Sequence, residues 1–322
     1  MPLGVFKTGL FAASGFSSIS DDGGGYTGGN NIGSPGSSTD VEKLGFPSET
    51  TSVVATWSST IGYLYGPAGL SNSRVAGYHV GGSGASGRVA SAQKHVFGSS
   101  STSTLAAAVT HARNSASGMS SKNYGKGFEI GGDDVTNYGD HANRLTFSSD
   151  TFSHYTSFYA YRVRQATSCA NQSTAGYTLG GYGNNGSVWD TLQTVFKTQF
   201  STESTSLLST TIATGVQNNL GSLANNGTAA YSCGGYPYSA TISKMPFSTE
   251  TCAAISATFS GTGSALPYGV RGLSDTGVAG YFGAAPTTDH NKITFSSDTL
   301  SLVAHGHTHN SHGSFSDEAA VT

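Results

Sequence analysis

Apolar and polar residues alternate in short runs along this chain, and Gly, Asn, Ser and Asp interrupt them every eight to twelve residues. That is the spacing of short antiparallel strands, and helical periodicity is almost absent, so the pattern predicts an all-β protein. The runs recur in register. A basic residue stands three places before a phenylalanine at Lys43/Phe46, Lys94/Phe97, Arg144/Phe147, Lys197/Phe200, Lys244/Phe247 and Lys292/Phe295, with Phe-to-Phe separations of 51, 50, 53, 47 and 48. Eight residues beyond each Phe lie Val54, Leu105, Tyr155, Leu208, Ile255 and Val303, all apolar. Two further on are Thr56, Ala107, Ser157, Thr210, Ala257 and His305, mostly small, and then Ser58, Val109, Tyr159, Ile212, Phe259 and His307. Period-two spacing marks one buried strand face, with the small position suited to close packing of neighbouring sheets. The basic residue lies an odd number of places before the Phe, so it is expected on the other, outward face.

A second element also counts to six: Gly-Tyr-Thr-Gly-Gly from Gly25, Gly-Tyr-His-Val-Gly-Gly from Gly77, Gly-Phe-Glu-Ile-Gly-Gly from Gly127, Gly-Tyr-Thr-Leu-Gly-Gly from Gly176, Ala-Tyr-Ser-Cys-Gly-Gly from Ala230, and Gly-Tyr-Phe-Gly-Ala-Ala from Gly280. A repeat of about 50 residues has the length of four short strands and their turns, one propeller blade. The glycine pairs are read as backbone that needs positive φ or close approach to a neighbouring blade. After each repeat Phe comes a Ser/Thr-rich turn with an acid in five of six copies (Glu49, Asp150, Glu203, Glu250, Asp298), replaced by Ser100 in the second. The acid is expected to cap its turn or pair with the repeat Lys rather than to form a catalytic ring.

The first Gly-Tyr strand has no Phe strand before it, and the sixth Phe strand has no Gly-Tyr strand after it. Joining the Tyr26 strand to the segment from Lys292 would complete a sixth blade and remove open sheet edges. The expected architecture is a six-bladed propeller over residues 23–309, closed by its N- and C-terminal segments. Residues 1–22 would form a docking or closure segment, and residues 310–322 a tail. Residues 13–18 and 311–316 both look like the strand sequence from Ser117 to Ser121, and only one of them can fill that slot.

Only 10% of the residues are charged, against about 25% in an average protein, while Gly numbers 45, net charge is -3 and no run of Lys or Arg occurs. Such a neutral, hydroxyl-rich surface lacks the footprint for nucleic acid or an anionic membrane, so neither partner is expected. The three cysteines, Cys169, Cys233 and Cys252, fit neither a disulfide framework nor a zinc motif and are read as buried thiols. No secretory or membrane-spanning apolar run stands at the start, so the chain is expected to be made in the cytoplasm without a signal peptide, and no membrane insertion is expected.

Candidate chemistry is sparse. His305, His307 and His309, followed by His312, would set three imidazoles on one strand face, a transition-metal ligand set that a symmetric homo-oligomer would complete. No other cofactor is expected. The aromatic stretch Tyr155, Phe158, Tyr159, Tyr161 with Arg162 and Arg164 combines stacking faces with cations, although Tyr155 and Tyr159 fall in the core register. Loop positions Tyr182, Asn184 and Asn185, and Asn225 and Asn226, are candidates for glycan capture, while Asn-Gly is also ordinary turn chemistry.

Spaced about fifty residues apart, the Gly-Tyr-x-x-Gly-Gly strands resemble those of kelch-type β-propellers over roughly residues 23–307. Alternation with Lys-x-x-Phe-Ser-x-Glu/Asp-Thr is similar to the kelch-like repeats of structural proteins from tailed marine and cyanobacterial bacteriophages. The tryptophan typical of eukaryotic kelch repeats is missing. The resemblance implies a non-enzymatic virion protein: a tail or capsid appendage, with other virion proteins as partners and a host-surface glycan or receptor as ligand. Its alternatives are a purely architectural decoration or a secreted lectin-like propeller. The motifs of copper-radical oxidases and sialidases do not occur.

Overall fold

The computed structural model describes residues 23–28, 40–46, 48–57, 66–84, 87–134, 139–184, 189–213, 221–234, 239–259, 271–283, 289–304 and 313–317. Among them every regular element is a β-strand, and there is no helix, hence none long and apolar enough to cross a membrane. Six four-stranded antiparallel sheets share one plan, with strands a to d in order across each. In sheet 1 these are Gly313–Asp317, Gly24–Gly28, Asp40–Gly45 and Thr50–Thr56; in sheet 2, Ala68–Asn72, Ala76–Val80, Ala92–Val96 and Ser101–Thr104. Sheet 3 has Ser117–Ser121, Lys126–Ile130, Ala142–Thr146 and Thr151–Tyr155; sheet 4 has Thr167–Asn171, Ala175–Leu179, Thr194–Gln199 and Thr205–Thr211. Sheet 5 comprises Gly221–Asn225, Ala229–Cys233, Thr241–Pro246 and Ala253–Thr258; sheet 6 comprises Arg271–Asp275, Ala279–Gly283, Asp289–Thr294 and Thr299–Ala304.

The two sequence elements are neighbours within a sheet. Strand b carries the Gly-Tyr motif and strand c the basic residue, and six times the register sets aromatic opposite base: Tyr26/Lys43, Tyr78/Lys94, Phe128/Arg144, Tyr177/Lys197, Tyr231/Lys244 and Tyr281/Lys292. Each repeat Phe donates its backbone N–H to the carbonyl just before strand b, as Phe46 does to Gly23 and Phe295 to Val278, both at 3.1 Å. The b strands of sheets 2, 4 and 5 are buried at every residue, whereas strand d is the most exposed, so in these sheets burial peaks at strand b and falls from there to strand d.

Sheets pack face to face through the repeat aromatics. The strand b ring of one sheet meets the repeat Phe of the next: Tyr26 with Phe97, Tyr78 with Phe147, Phe128 with Phe200, Tyr177 with Phe247, Tyr231 with Phe295, and Tyr281 of sheet 6 with Phe46 of sheet 1. Centroids lie 4.7–6.3 Å apart, and such a pair contributes about 0.5–1.5 kcal/mol beyond its buried area. The apolar positions eight residues after the Phe do pack on these clusters, as Leu105, Tyr155, Leu208, Ile255 and Val303 illustrate. Glycine permits the closest approach: a Cβ on Gly272 would lie 1.8 Å from the Ser222 carbonyl oxygen of sheet 5. Strands a of sheets 2 to 6 converge on one cavity of about 110 Å³, lined by Ser71, Ser120, Ser168, Ser222 and Ser274. It is far smaller than the ~300–1,000 Å³ of ordinary ligand pockets.

Two expectations need correction. The repeat base does not point outward to solvent. It lies half-buried between sheets, where Lys94 reaches Asp150 at 2.7 Å, Lys197 reaches Glu250 at 2.5 Å, Lys244 reaches Asp298 at 2.6 Å and Lys292 bonds Glu49. In each case the acid belongs to the next sheet and also accepts from the strand b tyrosine hydroxyl, as Asp150 does from Tyr78 at 3.0 Å. These acids, with Glu203 and Ser100, sit at φ of 50–56°. A left-handed acid costs about 1–2 kcal/mol relative to ordinary backbone, and the bonds across the sheet boundary offset that cost. The second correction concerns closure. The Tyr26 strand pairs with the Lys43 strand, not with the segment from Lys292, which has its own sheet partners. The remaining slot is filled by Gly313–Asp317, beyond residue 309, paired with Gly24–Gly28 over five residues.

Candidate functional site

The a-to-d order places the c–d hairpins, and in sheets 2 to 6 the a–b hairpins, at one end of the sheets, and the b–c and d–a connections at the other. The hairpins are tight, whereas the connections are long enough to carry strands of their own. One is the two-residue ladder Ser83–Gly84 with Gly87–Arg88, and the other a three-stranded sheet, Arg162–Arg164, Tyr182–Asn184 and Trp189–Thr191. The second ladder is built from the connection entering sheet 4 and from that sheet's b–c loop. Its register sets Arg162 opposite Asn184 and Arg164 opposite Tyr182, uniting four of the residues singled out in the sequence.

Tyr182 and Trp189 stack at 5.7 Å between centroids, inclined by 27°. They are diagonal neighbours on one face of the ladder, which is within reach for aromatic side chains. The Arg164 guanidinium lies over both rings, 5.1 Å from Tyr182 and 5.9 Å from Trp189. Asp133 holds it from the side at 3.3 Å and holds Arg88 at 2.8 Å. Arg162 and Asp190 are exposed, and Tyr182, Asn184, Arg164 and Trp189 half-exposed. A rigid pair of aromatic faces flanked by guanidinium, amide and carboxylate offers stacking and directional hydrogen bonds to a neutral hydroxylated ligand.

Other candidates have different work. Asn225 and Asn226 are buried rather than displayed on a loop: the Asn225 side-chain oxygen accepts from Gly277 N–H, and that of Asn226 from Gln172 N–H, both at 2.9 Å, tying turns of adjacent sheets. Phe158 and Tyr159 lie in the core beside Phe128 and Phe196, and the Tyr155 hydroxyl bonds Glu203. Cys169 and Cys233 are buried free thiols whose pKa burial pushes up, and Cys252, half-buried, is also free. Asn185 and the His305, His307 and His309 set lie outside the described residues. The histidines that the described residues bring together are His111, His141 and His154, which the sequence reading missed together with Trp189. The chain matches no protein-family model, and no curated protein matches it in sequence.

Proposed function

We propose that this chain is a six-bladed, kelch-like β-propeller that acts by binding, capturing a surface glycan on its loop-bearing face as a tail or capsid appendage of a phage particle. The observation that carries the binding role is the Tyr182–Trp189 pair with Arg164 across it. Six blades are supported by six like sheets and by six aromatic junctions, the last of them between sheets 6 and 1. The strand Gly313–Asp317 favours closure at the first blade. The virion role rests on the resemblance of the repeats to phage kelch-like proteins.

One observation favours the architectural alternative: Val53, Leu207 and Leu302, on the d strands of sheets 1, 4 and 6, are about half-exposed, a surface suited to lateral assembly. Immunogold labelling of virions, combined with binding of the purified chain to host cells, separates the readings. The expected result is label on an appendage and saturable cell binding, weakened at least about tenfold by Trp189→Ala, the loss of about 1.4 kcal/mol. Label without cell binding would make the protein architectural. No label on any particle would remove the virion role.

A further inference from the structure

Three imidazoles meet at the loop end of sheet 3. His154 is on strand d, His141 immediately precedes strand c, and His111 comes from the connection that leaves sheet 2. One ring nitrogen from each lies within 4.8 Å of the others. The protonation pattern can be read from the partners. His141 Nδ1 faces His154 Nε2 at 3.3 Å. On the far side of each ring, His141 Nε2 lies 2.9 Å from Asp140 Oδ1, and His154 Nδ1 lies 3.2 Å from Asn143 Oδ1. A carboxylate only accepts. The Asn143 amide group is already committed as a donor, to the fully buried Glu129 at 2.6 Å, so its oxygen is the atom turned to His154.

Both outer nitrogens are thus placed to donate their ring protons, and the two inner ones face each other at 3.3 Å. A shared proton or a bound metal ion can occupy the space between two nitrogens so placed. Two zinc–nitrogen bonds of about 2.0–2.1 Å at a tetrahedral angle set their nitrogens about 3.3–3.4 Å apart, which is the spacing of the His141–His154 pair, and a His111 nitrogen lies within 4.8 Å of both. The outer arrangement is also the one metal-binding histidines use, each ring's second N–H given to a carboxylate or carbonyl oxygen that fixes tautomer and orientation.

We propose that His111, His141 and His154 form a three-imidazole site for a divalent transition-metal ion such as zinc, with the fourth coordination position open to solvent beside the exposed His111. The ion ties the connection carrying His111 to sheet 3, on the same loop-bearing face as Tyr182 and Trp189. The site is independent of the glycan-binding role: either can fail without the other.

The test uses the untagged full chain with His305, His307, His309 and His312 replaced by Ala, so that the C-terminal histidines contribute no ligand. Zinc chloride is titrated by calorimetry, and cobalt(II) is followed by its visible absorption, which is intense when the ion is tetrahedral. The expected result is one ion per chain with a tetrahedral cobalt spectrum. His111→Ala, at an exposed position that leaves folding undisturbed, and His141→Ala each weaken zinc binding more than about 100-fold, because outer partners alone contribute about 10–100-fold. Asp140→Ala weakens it by about tenfold or more while cobalt remains tetrahedral. Absence of zinc binding in this background, or binding unchanged by both His111→Ala and His141→Ala, would overturn the site.

Discussion

Deleting residues 313–322 is expected to lower the thermal midpoint by more than about 10 °C and to make the chain aggregate. The strand Gly313–Asp317 is the a strand of sheet 1, paired with Gly24–Gly28 over five residues and packed against Ala68–Asn72 and Arg271–Asp275. About five hydrogen bonds at about 1 kcal/mol each, together with the packing, are comparable to the ~5–15 kcal/mol that holds an ordinary domain folded. Each kilocalorie moves the midpoint by about 2–4 °C in a chain of 150–250 residues, which gives the expected fall. Without the strand, Gly24–Gly28 becomes an open edge with unpaired backbone groups, the template from which sheets aggregate. A truncated chain melting with the intact one would mean that the first sheet does not need its C-terminal strand.

Stability is expected to fall in two steps on acidification. His95 is fully buried between sheets 1 and 2, ringed by Tyr26, Trp57 and Phe97, and burial pushes its pKa down to about 4. In the unfolded chain the ordinary value is about 6.5, so the unfolded state binds the extra proton between those limits. The contribution is whole above about pH 6.5 and is lost as pH falls toward 4, about 3 kcal/mol in all. Glu203 accounts for the lower step. Burial raises its pKa, but the bonds from Lys126, Tyr155 and Arg144 outweigh that and hold it at about 2. Its contribution is present above the ordinary carboxylate range and is lost as pH falls from about 4.5 through 2, about 1–2 kcal/mol once solvent screening is allowed for. Urea melts at a series of pH values check both. His95→Leu should flatten the profile between pH 6.5 and 4 and leave the lower step, since Leu44 and Leu145 occupy the equivalent place in sheets 1 and 3. An unchanged upper slope in His95→Leu would mean that His95 is not the group responsible.

The repeat was legible because each strand is short enough for its alternation to be counted and because the b–c pairing is in register in all six copies. Tyr opposite Lys is a local fact, set by the b–c pairing inside one repeat. What joins the repeats was legible only in part: the turn acid was expected to pair with a repeat Lys, and it does, but the crossing of that pair to the next sheet was not expected. Asp150 meets Tyr78 and Lys94 across 72 and 56 residues, and no alternation within a strand reports on a partner in the next sheet. At Phe128, where the other five copies carry a tyrosine, Tyr155 and Lys126 supply the bonds to the Glu203 carboxylate, a substitution no single strand reveals. Asn225 and Asn226 looked like a displayed loop because turn chemistry is the same whether a turn faces solvent or a neighbouring sheet.

The candidate site was half visible. Tyr182, Asn184, Arg162 and Arg164 could be picked out as aromatic, amide and cation, but Trp189 joins them only because the chain doubles back into a third strand. His111, His141 and His154 are likewise scattered, and only the pairing of strands c and d in sheet 3, with the connection from sheet 2, brings them together.

The most direct test of the proposed binding role is a glycan microarray probed with the wild-type chain and with a Tyr182→Ala/Trp189→Ala variant of matched thermal stability. The account predicts a restricted set of neutral glycans bound by the wild type and lost by the variant. Absence of glycan binding by the wild type, or the same set bound equally by the variant, would contradict it.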